Sequence, residues 1–438
     1  MKLKPYSKYK DSEIEWIGEI PEEWDNYKLK HVVNEFVAGG TPRSDDEKFW
    51  AHDEHGIPWV NIGDMTNKEI VTETKKEITV EGQADKGLRV LKNGTLLYSI
   101  FASLGKVAVL GIDATTNQAI LGLIISKKID TTFLKYYLKN LEETIITLSN
   151  ANTQNNLNST IVKNIEIAIP SLPDQTAIAN FLDRKIAKGN ALIEKDKKLI
   201  ALLKEKRTAL INHAVTKGLD PNVKLKDSGV EWIGKIPDKW SVRRIDKLST
   251  VSRGASPRPI DDPKYFDDGE EYSWVRIADV TASGRYLLET TEKLSTLGKS
   301  LSVPLEPGRL FISIAGTVGK PIITKIKCCI HDGFVYFKNL KVLNEYLYYI
   351  FIGGQAYLGL GKLGTQLNLN TETIGLITIP LPPKEEQEKI VEYLDKANSK
   401  MDKTIQKIEK KIELLEEYKK SLIHHVVTGK VDVRKSEV

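Results

Sequence analysis

Two different patterns of apolar and polar residues alternate along the 438 residues of the chain. Over residues 12–170 and again over 228–382, short β-branched and aromatic runs are separated by Gly, Asn and Pro. This punctuation predicts a compact mixed α/β domain in each region. The clearest expected elements are two buried strands and two short helices, at Leu96–Phe101, Leu310–Ala315, residues 132–148 and residues 344–352.

The second pattern is an apolar seam whose positions are separated alternately by four and three residues. Its first copy comprises Leu182, Ile186, Gly189, Ile193, Asp196, Ile200, Leu203, Arg207, Leu210 and Ala214, and a second copy begins at Leu394. Such a seam predicts two long helices that pair as an antiparallel coiled coil. At about 1.5 Å per residue, each helix would be about 60 Å long and could hold two domains apart.

Four leucines lie outside this seam, at Leu192, Leu199, Leu202 and Leu414. They widen the apolar stripe beyond what a two-stranded coil needs. They could pack on the neighbouring globular domains. The interpretation that we prefer is a docking face for helices of a partner subunit.

The chain is an internal repeat. Asp11-Ser-Glu-Ile-Glu-Trp16-Ile-Gly18 is repeated as Asp227-Ser-Gly-Val-Glu-Trp232-Ile-Gly234. The sequence predicts an α+β fold with pseudo-two-fold symmetry, in which two tandem mixed α/β domains are separated by two long antiparallel coiled-coil helices. The expected boundaries are a first globular domain at 1–172, a long helix at 173–218, a second globular domain at 219–384, and a second long helix with a C-terminal tail at 385–438.

Composition limits the function classes only loosely. The net charge is +5, with 64 basic and 59 acidic residues, which permits nucleic-acid binding without demanding it. The two cysteines, Cys328 and Cys329, are adjacent and cannot form a disulfide framework, so a reducing compartment is expected. No signal peptide or membrane-length apolar run is apparent, and we expect a cytoplasmic protein.

Three repeated motifs resemble those of one family. Lys-Asp-Ser-x-x-Glu-Trp-Ile-Gly-x-Ile-Pro-x-x-Trp occurs at 10–24 and 226–240, and Pro-x-x-x-x-Gln-x-x-Ile-x-x-Phe/Tyr-Leu-Asp occurs at 170–183 and 382–395. The helix ends, Ala209-Leu-Ile-Asn-His and Ser421-Leu-Ile-His-His, also match each other. The chain thereby resembles the DNA specificity subunit of type I restriction–modification systems.

This resemblance implies that each globular part is a target-recognition domain that reads one half of an interrupted DNA site. The long helices would be spacers that bind two methyltransferase subunits. Methylation and cleavage would belong to other subunits, so the chain would hold no cofactor. S-adenosylmethionine would be bound by the methyltransferase subunit, and ATP and Mg by a restriction subunit where one is present.

Candidates for catalysis in the chain itself are weak. Gly359-Leu-Gly361-Lys-Leu-Gly364 matches a dinucleotide fingerprint but follows a helix-like segment. Asp64 with Glu73-Thr-Lys75 loosely resembles a nuclease site, and His52-Asp-Glu-His55 a metal site, but neither arrangement is repeated in the second copy. We therefore expect no catalytic residue and no metal site.

Candidate DNA contacts fall into two groups. Lys106 and Lys320 follow the two buried strands, and two readings are open for them: phosphate contacts, or ordinary exposed lysines of a turn. Gln154 and Gln366 are the same residue in both copies, which favours contacts with the DNA backbone or structural hydrogen bonds over base readout. Positions that diverge between the copies are better candidates for base readout. These are Arg43-Ser44 against Arg258-Pro259, Asn61 against Arg276, and Asn117-Gln118 against His331-Asp332.

Because the two copies diverge at these positions, an asymmetric target is expected. Two alternatives remain open: a non-catalytic coiled-coil scaffold whose globular parts bind peptides, and an autonomous nuclease.

Overall fold

The chain forms two compact units in the computed structural model, which describes residues 4–51, 56–66, 68–101, 103–150, 157–267, 269, 271–358, 360 and 369–434. Unit 1 comprises Met1–Lys195 and Lys410–Val438, and unit 2 comprises Asp196–Glu409. Each unit therefore combines one globular domain with part of both long helices.

The elements of unit 1 alternate between short strands and short helices. Its strands are β1 (Tyr9–Asp11), β2 (Glu19–Pro21), β3 (Asp25–Lys28), β4 (Val33–Ala38), β5 (Trp50–Ala51), β6 (Ile57–Val60), β7 (Ile70–Val71), β8 (Glu77–Ile78), β9 (Leu96–Ser99), β10 (Val107–Leu110), β11 (Thr115–Thr116), β12 (Ile120–Ile125) and β13 (Glu166–Ile169). Its helices are α1 (Ile62–Met65), α2 (Val80–Lys86), α3 (Thr131–Asn140), α4 (Glu142–Asn150), α5 (Ser159–Lys163) and the long α6 (Leu172–Lys217), which continues into unit 2. Single 3-10 turns lie at Leu29–His31 and Glu47–Phe49. The helix expected at residues 132–148 is thus two successive helices, α3 and α4.

The main sheet of unit 1 has the strand order β4-β12-β9-β10-β7. All four residues of the central strand β9 are buried, which confirms the strand predicted at Leu96–Phe101. Trp24 is fully buried in the core of this unit, and its ring lies edge-to-face against Phe133 at 6.4 Å. A second sheet has the order β11-β6-β8-β5, and β3 pairs with β13.

Unit 2 repeats these elements. Its strands are β14 (Leu225–Asp227), β15 (Lys235–Pro237), β16 (Ser241–Arg244), β17 (Thr250–Arg253), β18 (Ser273–Val275), β19 (Tyr286–Leu287), β20 (Glu292–Lys293), β21 (Val303–Leu305), β22 (Leu310–Ser313), β23 (Pro321–Thr324), β24 (Cys328–Ile330), β25 (Phe334–Lys338) and β26 (Thr378–Leu381). Its helices are α7 (Ile245–Leu248), α8 (Ile277–Ala282), α9 (Thr296–Ser300), α10 (Asn344–Ile352), α11 (Thr371–Leu376) and α12 (Lys384–Val427), which continues into unit 1. Single 3-10 turns lie at Pro263–Tyr265 and Gln355–Tyr357. Helix α10 has the predicted bounds.

The main sheet of unit 2 has the order β17-β25-β22-β23-β19, which matches the order of the main sheet of unit 1 strand by strand. Its central strand β22 is fully buried, as predicted for Leu310–Ala315. A second sheet has the order β20-β18-β24-β21. The sequence repeat is therefore a structural repeat.

Within each unit, the parts of α6 and α12 run antiparallel to each other. In unit 1, Ile186 shares a core with Leu422 and Val426. In unit 2, Arg207 forms an ion pair with Asp402, and the more C-terminal part of α6 shares a core with the beginning of α12. Early residues of α6 thus lie against late residues of α12 in unit 1, and late residues of α6 lie against early residues of α12 in unit 2, as expected for an antiparallel coiled coil.

Gly189 explains one irregularity in the seam. A Cβ at this position would lie 3.2 Å from Cδ of Lys419 on α12. Because Gly189 has no side chain, the aliphatic part of the Lys419 side chain can lie against α6 at this position.

The segment after α12 closes unit 1 by packing on its N-terminal strands. Gly429 ends the helix in a left-handed conformation, and a Cβ there would lie 2.3 Å from Cδ of Pro21. The hydroxyl of Tyr9 donates to the Gly429 carbonyl at 3.2 Å, and Arg434 forms an ion pair with Glu23 at 2.6 Å. Unit 1 is therefore built from two segments that are distant in sequence.

A repeated glutamine joins the beginning of each long helix to its globular domain. In unit 1, Gln175 is buried, donates to the Pro170 carbonyl at 2.9 Å and accepts from the Asp130 amide at 2.8 Å. In unit 2, Gln387 does the same with Pro382 and Leu343, at 2.9 and 3.0 Å. The repeated Gln of the helix-start motif is therefore structural.

Replacement of Gln387 with alanine is expected to lower the free energy of unfolding by about 1–3 kcal/mol, because it leaves the partly buried N–H of Leu343 and the buried carbonyl of Pro382 without this partner. Urea unfolding of the full chain measures this change. Gln406→Ala removes an exposed amide from the same helix and is expected to change the free energy of unfolding by less than about 0.5 kcal/mol. Equal losses for the two variants would contradict the structural role of Gln387.

Within the described ranges, no helix combines the length and the apolar character needed to cross a membrane.

Candidate nucleic-acid interface

Two parallel strands of unit 1 end at the same edge of a sheet. Strand β6 pairs in parallel with β11. Asn61 directly follows β6, and Asn117 and Gln118 directly follow β11. The Asn117 amide donates to the Val60 carbonyl at 2.9 Å, which fixes the two strand ends beside each other. Such strand ends are a usual place for ligand-binding side chains.

The segment after β4 reaches the same edge. The Gly40 amide donates to the Thr116 carbonyl at 2.9 Å, and the hydroxyl of Thr41 donates to Oε1 of Gln118. Gly39 is needed for this approach, because a Cβ there would lie 2.1 Å from the Asn117 carbonyl oxygen. We call residues 38–43, 61 and 117–118 the unit 1 edge.

Unit 2 builds the same arrangement. Strand β18 pairs in parallel with β24; Arg276 follows the former, and His331 and Asp332 follow the latter. The Gly254 amide donates to the Phe334 carbonyl at 2.9 Å, and a Cβ on this glycine would lie 2.1 Å from the His331 carbonyl oxygen. We call residues 253–258, 276 and 331–332 the unit 2 edge. In both units the positions that diverge between the copies are thus brought together.

Asp332 organises the charges of the unit 2 edge. Its carboxylate accepts from Nη2 of Arg258 and from the hydroxyl of Ser256, both at 2.8 Å. Its main-chain carbonyl accepts from Nε of Arg253. Burial opposes ionisation of Asp332, but the Ser256 hydrogen bond and the charges of Arg258 and Arg253 outweigh it and lower its pKa. Asp332 therefore holds two arginines, Arg258 through its ionised carboxylate and Arg253 through its main-chain carbonyl.

Arg253 is a member of this edge that sequence reasoning missed. It is the last residue of β17, and its counterpart in the first copy is Ala38, the last residue of β4. An alignment of the two copies through Gly39 and Gly254 would have identified this divergence.

His331 lies between aromatic rings in the unit 2 edge. Its ring centroid is 5.8 Å from that of Trp274 and 4.5 Å from that of Phe334. Its Nδ1 accepts from the Gly333 amide at 2.8 Å, so the neutral ring carries its proton on Nε2. Burial lowers the pKa of His331 below 6.5 despite the opposing charge of Asp332.

This depressed pKa predicts a pH dependence of stability. The unfolded chain binds a proton at His331 more readily than the folded chain does, so this contribution is complete above about pH 6.5 and is lost as the pH falls toward the folded pKa. His331→Asn introduces the residue at matched position 117. The difference in melting temperature between the native chain and this variant is expected to change between pH 7 and pH 5, whereas parallel melting curves would disprove the effect.

Asn61 and Arg276 occupy equivalent positions with different local roles. Oδ1 of Asn61 accepts from the Gly63 amide at 2.7 Å and caps α1. Arg276 makes no such cap; its guanidinium forms an ion pair with Glu292. Base contacts by these two residues stay predictions, and Asn61 has a structural role as well.

Arg43 lies on the unit 1 edge, and its side chain contacts Asp85 and Phe49. Its Nη2 is 3.4 Å from Asp85 Oδ1, and its guanidinium carbon is 5.0 Å from the centre of the Phe49 ring. Its carbonyl accepts from the Trp50 indole at 3.1 Å. The matched Arg258 is more exposed, with 68% of its side chain accessible.

The two lysines that follow the buried strands have different partners. Lys106 forms an ion pair with Glu142. Lys320 donates to the main-chain carbonyls of Thr281 and Ser283 at 3.0 and 2.6 Å, and burial lowers its pKa. Phosphate contact by either lysine stays a prediction. Gln154 and Gln366 lie outside the described residues.

The leucines outside the helix seam are largely accessible within their own units. Leu199 and Leu202 of α6 are 44% and 60% exposed, and Leu414 of α12 is 52% exposed. Leu192 is half-buried. Leu202 and Leu414 occupy equivalent positions in the two copies, one in each unit. Their role in docking stays a prediction.

The residues considered for catalysis are engaged in local structure. Asp64 is buried and accepts from the main-chain amides of Asn61 and Lys75, at 3.0 and 3.3 Å. Glu73 is exposed and forms an ion pair with Lys68 at 3.3 Å. In the part of the chain that the structure describes, no three His, Cys, Asp or Glu residues are grouped as metal ligands. His52–His55 lies outside that part, as does most of the glycine-rich segment at 359–364.

The internal repeat corresponds to a repeated domain of a known family. The sequence profile of the type I restriction modification DNA specificity domain matches the chain twice, at residues 21–202 and 237–414. These matches cover most of the chain. The chain therefore belongs to the DNA specificity subunits of type I restriction–modification systems.

Two relatives from Methanocaldococcus jannaschii extend over nearly the whole chain. A protein provisionally named the type I restriction enzyme MjaX specificity subunit is 26% identical over 447 residues, which is 95% of this chain and 96% of the relative. The type I restriction enzyme MjaVIII specificity subunit is 25% identical over 441 residues, 95% of this chain and 94% of the relative.

Solved structures show the same fold at low identity. A chain from a type I restriction–modification system, solved to explain complex assembly and conformational transition, has a TM-score of 0.67 at 16% identity and covers 93% of this chain and 98% of its own length. The HsdS subunit from Thermoanaerobacter tengcongensis has a TM-score of 0.55 at 15% identity, with coverage of 94% and 98%.

Proposed function

We propose that the unit 1 edge and the unit 2 edge read the two halves of an interrupted, asymmetric DNA site. One observation carries this proposal: residues that differ between the two copies lie together at the same place in both units. In both units the main sheet has the same strand order, two parallel strands end side by side, and a glycine brings a third segment to them, yet the side chains presented there differ. A common frame with different polar side chains suits two readers of different sequences.

The second part of the proposal concerns partners. Leu202 and Leu414 are exposed at equivalent helix positions, so each unit offers a similar apolar contact. Two similar contacts suit two copies of one partner. We infer that these partners are methyltransferase subunits, that S-adenosylmethionine is bound by them, and that ATP and Mg are used by a restriction subunit where one joins. Leu192 and Leu199 would extend the contact.

In this proposal the chain supplies recognition and leaves the chemistry to its partners in the cytoplasm. The alternative is a coiled-coil scaffold whose globular parts bind peptides. Sequence-selective DNA binding that weakens steeply with salt would exclude that alternative.

Co-expression with the methyltransferase subunit, followed by mapping of methylated adenines, tests the proposal. We expect two different half-sites separated by a constant gap. Methylation at a perfect inverted repeat would contradict the asymmetry, and methylation independent of this chain would contradict the function. The chain alone, incubated with Mg and DNA, is expected to leave the DNA intact; cleavage that Glu73→Gln abolishes would favour the autonomous nuclease.

A further inference from the structure

We propose that the unit 2 edge is a guanine reader, and that guanine dependence is a property of the half-site bound by unit 2. The proposal rests on the function proposed above and names the base chemistry of one of its sites. Three arginines lie at this edge: Arg253 and Arg258 on the segment that ends and follows β17, and Arg276 directly after β18. Arginine bound to O6 and N7 of guanine is the commonest specific contact between proteins and the major groove of DNA.

The first step in the argument is that two of these arginines are oriented by the protein. Arg253 donates through Nε to the carbonyl of Asp332, and Arg258 donates through Nη2 to the carboxylate of the same residue. The Ser256 hydroxyl holds that carboxylate from the other side at 2.8 Å. Side chains positioned before binding lose less conformational entropy when they bind, which favours discrimination over loose phosphate contact.

The second step concerns the donors left for DNA. Each of the three arginines engages one neighbouring acceptor group, and a guanidinium carries five N–H donors. Among the described residues, the contacts of Arg253 leave both Nη groups available for a bidentate contact. In Arg258 and Arg276 the contact with the acidic partner uses Nη2, whose second N–H still forms a parallel pair with Nε or with Nη1. Each arginine therefore retains a pair of donors that matches O6 and N7 of guanine.

The third step is the charge of the edge. Asp332 and Glu292 offset two of the three arginines, and burial lowers the pKa of His331, so that it is neutral near pH 7. The edge therefore keeps a net positive charge, which suits approach to DNA. His331 packs against Trp274 and Phe334.

The unit 1 edge provides the contrast. Ala38 stands where unit 2 has Arg253, Asn61 where it has Arg276, and Gln118 where it has Asp332. Arg43 alone matches an arginine of unit 2, and its guanidinium lies against Phe49 and Asp85. The two edges therefore present different chemistry on the same frame, and we expect the half-site of unit 1 to depend less on guanine.

Selection of duplexes from a random-sequence library by the full chain in complex with its methyltransferase subunit tests the proposal. Arg253→Ala and Arg276→Asn install the matched residues of unit 1. Each is expected to lower the preference for guanine at one position of a single half-site by roughly 5- to 150-fold. The other half-site is expected to be selected as before. An altered half-site without guanine, or an unchanged preference in both variants, would overturn the proposal.

Two controls separate base reading from other roles. Loss of an arginine that contacts phosphate weakens binding to all duplexes equally and changes the salt dependence, and this result for both variants would also overturn the proposal. Arg43→Ala is the matched variant in unit 1, and it should leave the guanine preference of the unit 2 half-site intact. Failure of the proposed function itself looks different, because no interrupted sequence would then be selected at all.

Discussion

Replacement of both Leu202 and Leu414 with aspartate is expected to abolish capture of methyltransferase subunits while leaving the chain folded. Each side chain is more than half exposed in its own unit, so the substitution costs the isolated chain little stability. In a complex, a buried leucine contributes about 1.5–3 kcal/mol, which corresponds to about 10- to 150-fold in affinity for each site. An unpaired carboxylate placed in an apolar contact adds a further penalty.

The single variants make this prediction sharper. Leu202→Asp and Leu414→Asp change one unit each, so either one is expected to reduce the complex from two captured methyltransferase subunits to one. Mass measurement of the purified complexes reports this stoichiometry directly. Leu288→Asp is a suitable control, because Leu288 is 67% exposed but lies outside the long helices. Full capture by the double variant would show that the partners bind elsewhere.

Gly254→Ala is expected to destabilise unit 2 and to remove the sequence preference of its half-site. The added Cβ would lie 2.1 Å from the carbonyl oxygen of His331, and a main-chain atom cannot move aside as a flexible side chain can. Overpacking of this kind costs typically 1–3 kcal/mol, and we expect about 3 kcal/mol here because the obstacle is backbone. Relief of the clash separates the segment that carries Arg253 and Arg258 from Asp332, so the effect extends to recognition.

Thermal unfolding and duplex selection measure the two consequences of Gly254→Ala separately. Gly39→Ala meets the Asn117 carbonyl at the same distance and is expected to act on unit 1 and its half-site alone. Gly284→Ala is the matched control in unit 2, since a Cβ there meets no atom within 4 Å. Similar losses for Gly254→Ala and Gly284→Ala would mean that the close approach at the unit 2 edge is unimportant.

Local sequence patterns predicted the elements of this fold well. The long helices and the central strands β9 and β22 follow from a seam repeated every three to four residues and from continuous apolar runs, which are signals contained within one segment. The repeated Gln175 and Gln387 were visible in the sequence, but their function was not. Their partners, such as the amides of Asp130 and Leu343, belong to segments more than 40 residues away.

The candidate site was predictable in its residues and unpredictable in its geometry. Comparison of the copies identified Asn61 and Asn117, and their counterparts Arg276 and His331, as divergent positions, but nothing in the sequence shows that the two residues of each copy lie at one edge. That arrangement comes from the parallel pairing of β6 with β11 and of β18 with β24, which joins segments more than 50 residues apart. Lys106 and Lys320 show the converse: one shared motif leads to an acidic partner in one unit and to main-chain carbonyls in the other.

The discontinuous make-up of unit 1 has a consequence for the order of folding during translation. Unit 2 is a single stretch of chain, so it can fold as soon as Glu409 has left the ribosome. The core of unit 1 also needs Leu422, Val426 and the residues that follow α12, which are synthesised after unit 2. Unit 1 begins earlier in the chain than unit 2 but is therefore completed after it, and until then the apolar residues of unit 1 that pack against α12 lack these partners.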